Sequence, residues 1–496
     1  MTLRPTRTAA PSTPFPPEAR LHASLVAILL AASVTGCRPP QDHRGQTSRP
    51  AEPAAPLRVL VLDDPELAQA ITREWQALTE HGAAVRHLSS QELLAVSSRR
   101  LGADAVVYPS GLLGELAERS LIQPIPAEDL DDPPFARREI FEIPRLREVS
   151  WGKAILAVPF GSPSWTLLYR PDVFQKLQCN PPETWAEYRL LAERLADRQS
   201  LGELAPPAGE PWSAAIEPLA PAWAGHVLLA RAAAYARHPN QFSTLFEYRS
   251  MQPLIAGPPF ARALQELLEC AKYLPAEARS LTPADARREF LQGHCGMALT
   301  WPSRADEVPP AAKPIPVGFA DLPGSAELFN FRNQQWELRD AEQDRRVTLV
   351  GISGRLGSVT RESRQPRAAS ALLRWLSGKL SAQVCAASKH TTLFRDTHLA
   401  APQLWVNAQV DATAAEQYAQ VVKEAQNRGA WLDAIRIPGR ERYLAELDRA
   451  VHAALEGTAS PGEALRAASD AWNKSTDSLG CERQQKAYMR SLGLEP

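Results

Sequence analysis

The stretch Gly152–Asp197, "GKAILAVPFGSPSWTLLYRPDVFQKLQCNPPETWAEYRLLAERLAD", holds the elements whose order decides the fold. "KAILAVPF" is an apolar run that reads as a strand, and "SWTLLYR" as a second strand after a short turn. Pro171 stands where a helix tolerates proline, in its first turn, and opens a helix through Asp172–Leu177. "PPETW" is a loop feeding the next helix. There Thr184 is the expected N-cap and Glu187, three residues on, completes a capping box.

Towards the N-terminus the same alternation continues. "LRVLVL", Leu57–Leu62, reads as a buried strand, and Leu67, Ile71, Trp75 and Leu78 follow at helical spacing, with Gly82 where that helix stops. "AAVRHLS" reads as a strand, "SQELLAVSSRRLGA" as a helix and "DAVVYPS", Asp104–Ser110, as a third strand. The order β-α-β-α-β implies a parallel sheet flanked by helices. In such sheets ligands bind beyond the C-terminal strand ends. Asp63, Asp64, Tyr108 and Ser110 fall at those ends, either as ligand contacts or as solvated loop polars.

The first residues read as an export signal. Arg4, Arg7 and Arg20 precede the apolar run Leu21–Val34, which is too short to span a bilayer comfortably and has the flanks of a signal-peptide core. The run ends in "VTGC", Val34–Cys37, similar to the bacterial lipobox, in which the thiol is acylated and the chain is cut just before it. Residues 1–36 are thus expected to be a lipoprotein signal peptide, with Cys37 the lipidation site; a plain secretory peptide is the other reading. Arg38–Pro56 is Pro-rich, polar and aperiodic, so residues 37–56 read as a disordered tether.

With 496 residues the chain is too long for one ordinary core. A net charge of -1 supplies no excess of Lys and Arg to displace counterions, which argues against a broad nucleic-acid interface. No GxSxG, HExxH, P-loop or GxGxxG occurs, and the ten His residues show no metal-ligand spacing, so neither catalysis, a cofactor nor a metal is called for. Acylation of Cys37 leaves five of the six cysteines. Cys270 and Cys295 are the nearest pair in sequence, and two arrangements are open for them, a disulfide or separate buried thiols.

The segment quoted first resembles family 1 extracellular solute-binding proteins of ABC importers, of the maltose- and sugar-binding type. Gly152, Pro159, "LLYRPDVF" and "PPETWAEY" carry the likeness. It continues at "FLQGHCGMALTWPS", at Leu349–Gly378, and at Arg436–Trp472. The resemblance implies two α/β lobes with a ligand cleft between them and a chain that crosses more than once, near Phe160–Trp165 and near Gly351–Gly357. Residues 57–163 with 351–410 would form one lobe, and 164–350 with 411–496 the other. It further implies a carbohydrate ligand, ABC permease partners and a monomer held at a bacterial membrane by its lipid. A binder of another solute, a sensory or structural lipoprotein on the same fold, and an exported hydrolase without a local motif stay open.

A sugar offers apolar C–H faces and a rim of hydroxyls, so a sugar site wants aromatic platforms and planar polar groups. By position in the family, Trp165, Trp223, Trp301 and Trp431 are the candidate rings. Trp301 leads, because it follows the small residues of "CGMALT" and precedes Pro302, which ends regular pairing. Its replacement by Ala is expected to remove a sugar response and leave the fold intact. Ser162 and Ser164 of "GSPSWT", and Ser353 and Arg355 of "GISGRLGSVT", are the candidate polar contacts, with Asp63, Tyr108 and Ser110 from the first sheet.

Overall fold

The computed structural model describes residues 55–78, 82–95, 100–207, 209–309, 314–340, 342–378 and 382–495. The signal segment, Cys37 and nearly all of the tether lie outside the described residues. Strands β1 (Leu57–Leu62), β2 (Ala83–Leu88) and β3 (Ala105–Pro109) are parallel neighbours in the order β2-β1-β3. Their buried residues alternate between two cores, Leu60, Leu62, Val106 and Tyr108 on one side and Val59, Val61, Ala105 and Val107 on the other. The helix Pro65–Leu78 packs on β1 and β2.

The run expected as one strand at 153–160 is divided. Gly152, at φ +58, turns the chain so that β4 (Ser150–Trp151) and β5 (Ala154–Ile155) form a small hairpin, and only β6 (Val158–Pro159) joins the first sheet. The helix after β2 is described over Ser90–Ala95.

After β6 the chain leaves for a second sheet. β7 (Thr166–Tyr169), β8 (Ser213–Ile216), β9 (Cys295–Thr300) and β10 (Gly318–Asp321) stand in the order β10-β7-β9-β8. The helix Trp185–Ala196 packs on β8 and carries the expected capping box, Thr184 with Glu187. The helix Pro283–Leu291 packs on β9, and Ala412–Gln426 on β10. A hairpin, β11 (Glu327–Asn330) and β12 (Gln335–Leu338), follows β10.

The return crossing runs through β13 (Thr348–Val350), Gly351 and Gly354, both at positive φ, into β14 (Arg355–Val359). β14 pairs antiparallel with β3 and β6 and completes the first sheet. β15 (Trp431–Asp433) lies parallel to β13, so two strands run side by side at the crossing. Beyond it, the helices Arg440–Leu455 and Pro461–Leu479 pack with Ala224–Ala236 and Pro258–Ala271 of the second lobe. The final helix, Cys481–Ser491, touches β4 and the helix Leu113–Glu118 on the first-lobe side.

Candidate functional site

The register of the second sheet brings two candidate rings together. Thr166 of β7 pairs with Thr300 of β9, so Trp165 and Trp301, one residue further out on each strand, meet across the sheet end. Their ring centroids are 5.3 Å apart. Trp223 precedes the helix Ala224–Ala236 and closes the triangle, 6.2 Å from Trp165 and 5.6 Å from Trp301. All three contacts are edge-on or tilted, the geometry aromatic quadrupoles prefer. Trp165 and Trp301 are buried, and Trp223 is half-exposed.

The bend carrying Trp223 is strained and clamped. Ala222 sits at φ +72, where a Cβ is disfavoured. The Asp448 carboxylate, from the helix Arg440–Leu455, accepts from the amides of Ala222 at 2.7 Å and Gly225 at 2.8 Å. Burial raises the pKa of Asp448, and those two amides counter the rise. One turn on, His226 lies 5.9 Å from the Trp223 ring, with Nδ1 3.0 Å from the Ala222 carbonyl. A carbonyl only accepts, so Nδ1 carries the proton and Nε2 is an acceptor. That Nε2 is buried without a hydrogen-bond partner, as is the Trp165 indole N–H. Burial, reinforced by the Arg440 guanidinium, pushes the His226 pKa down to about 3, so the ring is neutral. Arg440 reaches the first lobe at Gly111, where an added Cβ would lie 2.6 Å from its guanidinium carbon. An aromatic wall thus stands beside one unmatched donor and one unmatched acceptor, both neutral. They are not alone among the described residues: the indole N–H groups of Trp185 and Trp405 and Nε2 of His398 are also buried without a partner.

Beneath the rings the candidate polar residues are bonded to one another. Ser110 Oγ donates to the Ser353 carbonyl, and Ser353 Oγ meets His390 Nδ1 at 3.0 Å. Ser162 Oγ donates to Glu148, and Gln426 Nε2 donates to the Ser162 carbonyl at 3.0 Å and to Ser164 Oγ at 3.1 Å. Burial raises the pKa of Glu148, and its Oε2 and the Gln426 Oε1 are left without partners. Arg355 donates to Asp64 at 2.9 Å and to the Asp63 carbonyl at 2.8 Å, a buried ion pair inside the first lobe. The Asp63 carboxylate accepts from the Ser90 amide at 2.8 Å, and the Tyr108 hydroxyl meets Ser358 Oγ at 2.7 Å within the core. The Trp301 indole donates to the Lys389 carbonyl at 3.1 Å, linking the end of β9 to the segment that follows the first-lobe helices.

Two expectations change. Trp431 is not with the other three rings. It lies on β15 under the Arg147 guanidinium, 4.4 Å from the ring centroid, and lines a separate cavity. Cys270 and Cys295 are free thiols rather than a disulfide. They face different cores: Cys270 packs in the cluster holding Trp185 and Tyr188, and Cys295 in the one holding Phe290 and Phe319. Burial pushes the Cys270 thiol up to about 11.

Residue-by-residue reading missed His226, Asp448, Glu148, Gln426, His390 and Arg440. A signal existed only for His226, which follows Trp223 at the i,i+3 spacing of one helix face. The others come from segments remote in sequence.

In solved structures the chain is similar to an ABC transporter solute-binding protein from Agrobacterium radiobacter K84 in complex with ribitol. The identity is 17% over 85% of this chain and 99% of that one, with a TM-score of 0.64. It is similar to maltose-bound MalE3 of T. maritima, at 18% identity, 84% and 99% coverage and a TM-score of 0.61. A solute-binding protein from Agrobacterium vitis S4 with bound D-mannitol gives 16%, 86%, 99% and 0.60. No curated protein sequence matches. These likenesses establish a two-lobed fold with a cleft between lobes and a chain that crosses between them more than once. A family model described as bacterial extracellular solute-binding protein matches residues 88–410, and the chain belongs to that family.

Proposed function

We propose that this protein captures a carbohydrate or polyol by closing two lobes over it, as the membrane-anchored binding subunit of an ABC importer. The observation that carries the reading is the triangle of Trp165, Trp223 and Trp301 beside the unpaired Trp165 N–H and His226 Nε2. Rings supply a platform for C–H faces, and a neutral donor and acceptor suit hydroxyls better than charged solutes. The moving bodies are 57–163 with 351–410 and 164–350 with 411–496. Closure shifts a pre-existing equilibrium about the β6–β7 and β13–β14 crossings. The closed form docks on a permease, and the ligand leaves unchanged, so the role is binding rather than catalysis. Acylation at Cys37 tethers the monomer at the cell membrane with its lobes on the outer side.

The test is thermal shift with ribitol, D-mannitol, maltose and maltotetraose, alongside amino acids and a peptide mixture. A saturable rise in Tm with a sugar or polyol, without turnover, is expected. A shift with an amino acid or peptide and none with any sugar would overturn the carbohydrate reading. Radiolabelled palmitate incorporation that is lost in Cys37→Ala tests the anchor.

A further inference from the structure

A cavity of about 320 Å³ is lined in part by β15 and its exit and by none of the three clustered rings. The first lobe contributes Arg147 and Gly152, the second Arg237 and Phe246, and the strand β15 and its exit contribute Trp431, Asp433 and Arg436. The final helix closes it with Tyr488, whose hydroxyl meets Ser243 Oγ at 2.9 Å.

Its electrostatics differ from ordinary surface pairing. Arg237 spends its donors on neutral carbonyls, those of Trp431 at 3.2 Å, His238 at 2.9 Å and Gln241 at 2.8 Å. Arg436, only 2% exposed, donates to the carbonyls of Glu148 at 3.0 Å and Ser491 at 3.2 Å, and its Nε has no partner. Arg147 lies flat on Trp431, and among the described residues no carboxylate lies within ion-pair range of it. Carbonyls satisfy hydrogen bonds and leave the charge uncancelled. Two carboxylates are set against these three guanidiniums, Asp433 at 3.4 Å from Arg436 and the buried Glu148, which also feels Arg436; Arg490 at the edge is already paired with Glu118 at 2.7 Å. The rim is apolar. Leu146 is 41% and Phe242 52% exposed, two of only five large apolar side chains left exposed among the described residues.

We infer that this cavity is a second ligand site, for a small organic carboxylate with an apolar body. The carboxylate meets Arg147 and the free Nε of Arg436, and the body lies against Phe242 and Leu146. Guanidinium forks match carboxylates in two-point geometry. Both lobes and the crossing strand line the cavity, so an occupant senses their relative position, and any difference in its affinity between open and closed forms changes the affinity of the cleft by the same factor. The inference stands on this cavity alone and does not depend on the carbohydrate reading.

Benzoate and its neutral isostere benzamide are the probes, added to the full chain, with Trp fluorescence and thermal shift as readouts. Benzoate is expected to give a saturable change in both, and benzamide to bind at least about tenfold more weakly. Arg147→Gln at the exposed rim should weaken benzoate at least about tenfold while circular dichroism and the cleft ligand's response stay unchanged. Phe242→Ser should weaken both probes together. Equal binding of benzoate and benzamide, no saturable response to benzoate, or unchanged benzoate affinity in both variants would overturn the site.

Discussion

Two places in this molecule use tryptophan in opposite ways. Around Trp165, Trp223 and Trp301 the rings meet one another, and the unmatched groups beside them, an indole N–H and an imidazole Nε2, are neutral. Around Trp431 the ring meets a cation, and the cavity it lines is ringed by guanidiniums. The difference teaches that tryptophan count alone says little about ligand class. What accompanies the ring decides whether a site favours hydroxyls or charge.

The largest effect that would break the comparison is at Trp301. It is 1% exposed, touches both other rings and donates to Lys389. Trp301→Ala is therefore expected to lower unfolding free energy by about 4 kcal/mol, read from urea midpoints. This corrects the expectation that the ring is dispensable for the fold. Trp301→Phe, which keeps ring packing and loses the N–H, should cost far less. A near-neutral Trp301→Ala would show that the triangle is a surface feature and not a packed wall.

Acid titration comes next and tests the neutral side of the comparison. His226 and His398 are both buried, each with a pKa pushed down to about 3 mainly by burial. In the unfolded chain a histidine titrates near 6.5. Above that value both states are neutral and the stability is fully present. As pH falls from about 6.5 towards about 3, the unfolded state takes up protons that the folded state refuses, so stability declines. The slope is up to about 1.4 kcal/mol per pH unit for each histidine. His390 is likewise held well below the ordinary value by burial, so His226→Gln should remove roughly a third of that slope in Tm against pH. An unchanged slope in His226→Gln would mean that His226 is not held neutral.

The smallest expected effect sharpens the picture of the Trp223 bend. Ala222 holds φ +72, so Ala222→Gly should raise stability by about 1 kcal/mol through relief of that strain, measured by chemical denaturation. A loss instead would show that the methyl group packs usefully.

Much of the fold was legible because local chemistry and global fold agree. Alternating apolar runs marked β1, β3 and β7, and Thr184 with Glu187 marked a helix start. The division of 153–160 was not legible, because a glycine turn at Gly152 outweighs a continuous apolar run. Of the candidate site, Trp165, Trp223 and Trp301 were singled out by their position in the family, and the structure brings the three rings into contact. Trp431 looked equivalent to them in one dimension, and only the pairing of β15 with β13 sets it apart. The partners that complete the site were invisible for a physical reason. Glu148, Gln426 and Asp448 act through contacts with residues remote in sequence, and nothing in their own neighbourhoods marks them.

Asp448 shows what that remoteness means for evolution. The bend "PAWAG" that presents Trp223 holds no group that fixes the ring's aim; a carboxylate on a later helix does so through two amides. Drift in that helix can re-aim the ring by a fraction of an ångström while the sequence of the bend stays the same. On the function proposed above, lineages of such proteins can change what they admit with no change in the residues around the ring.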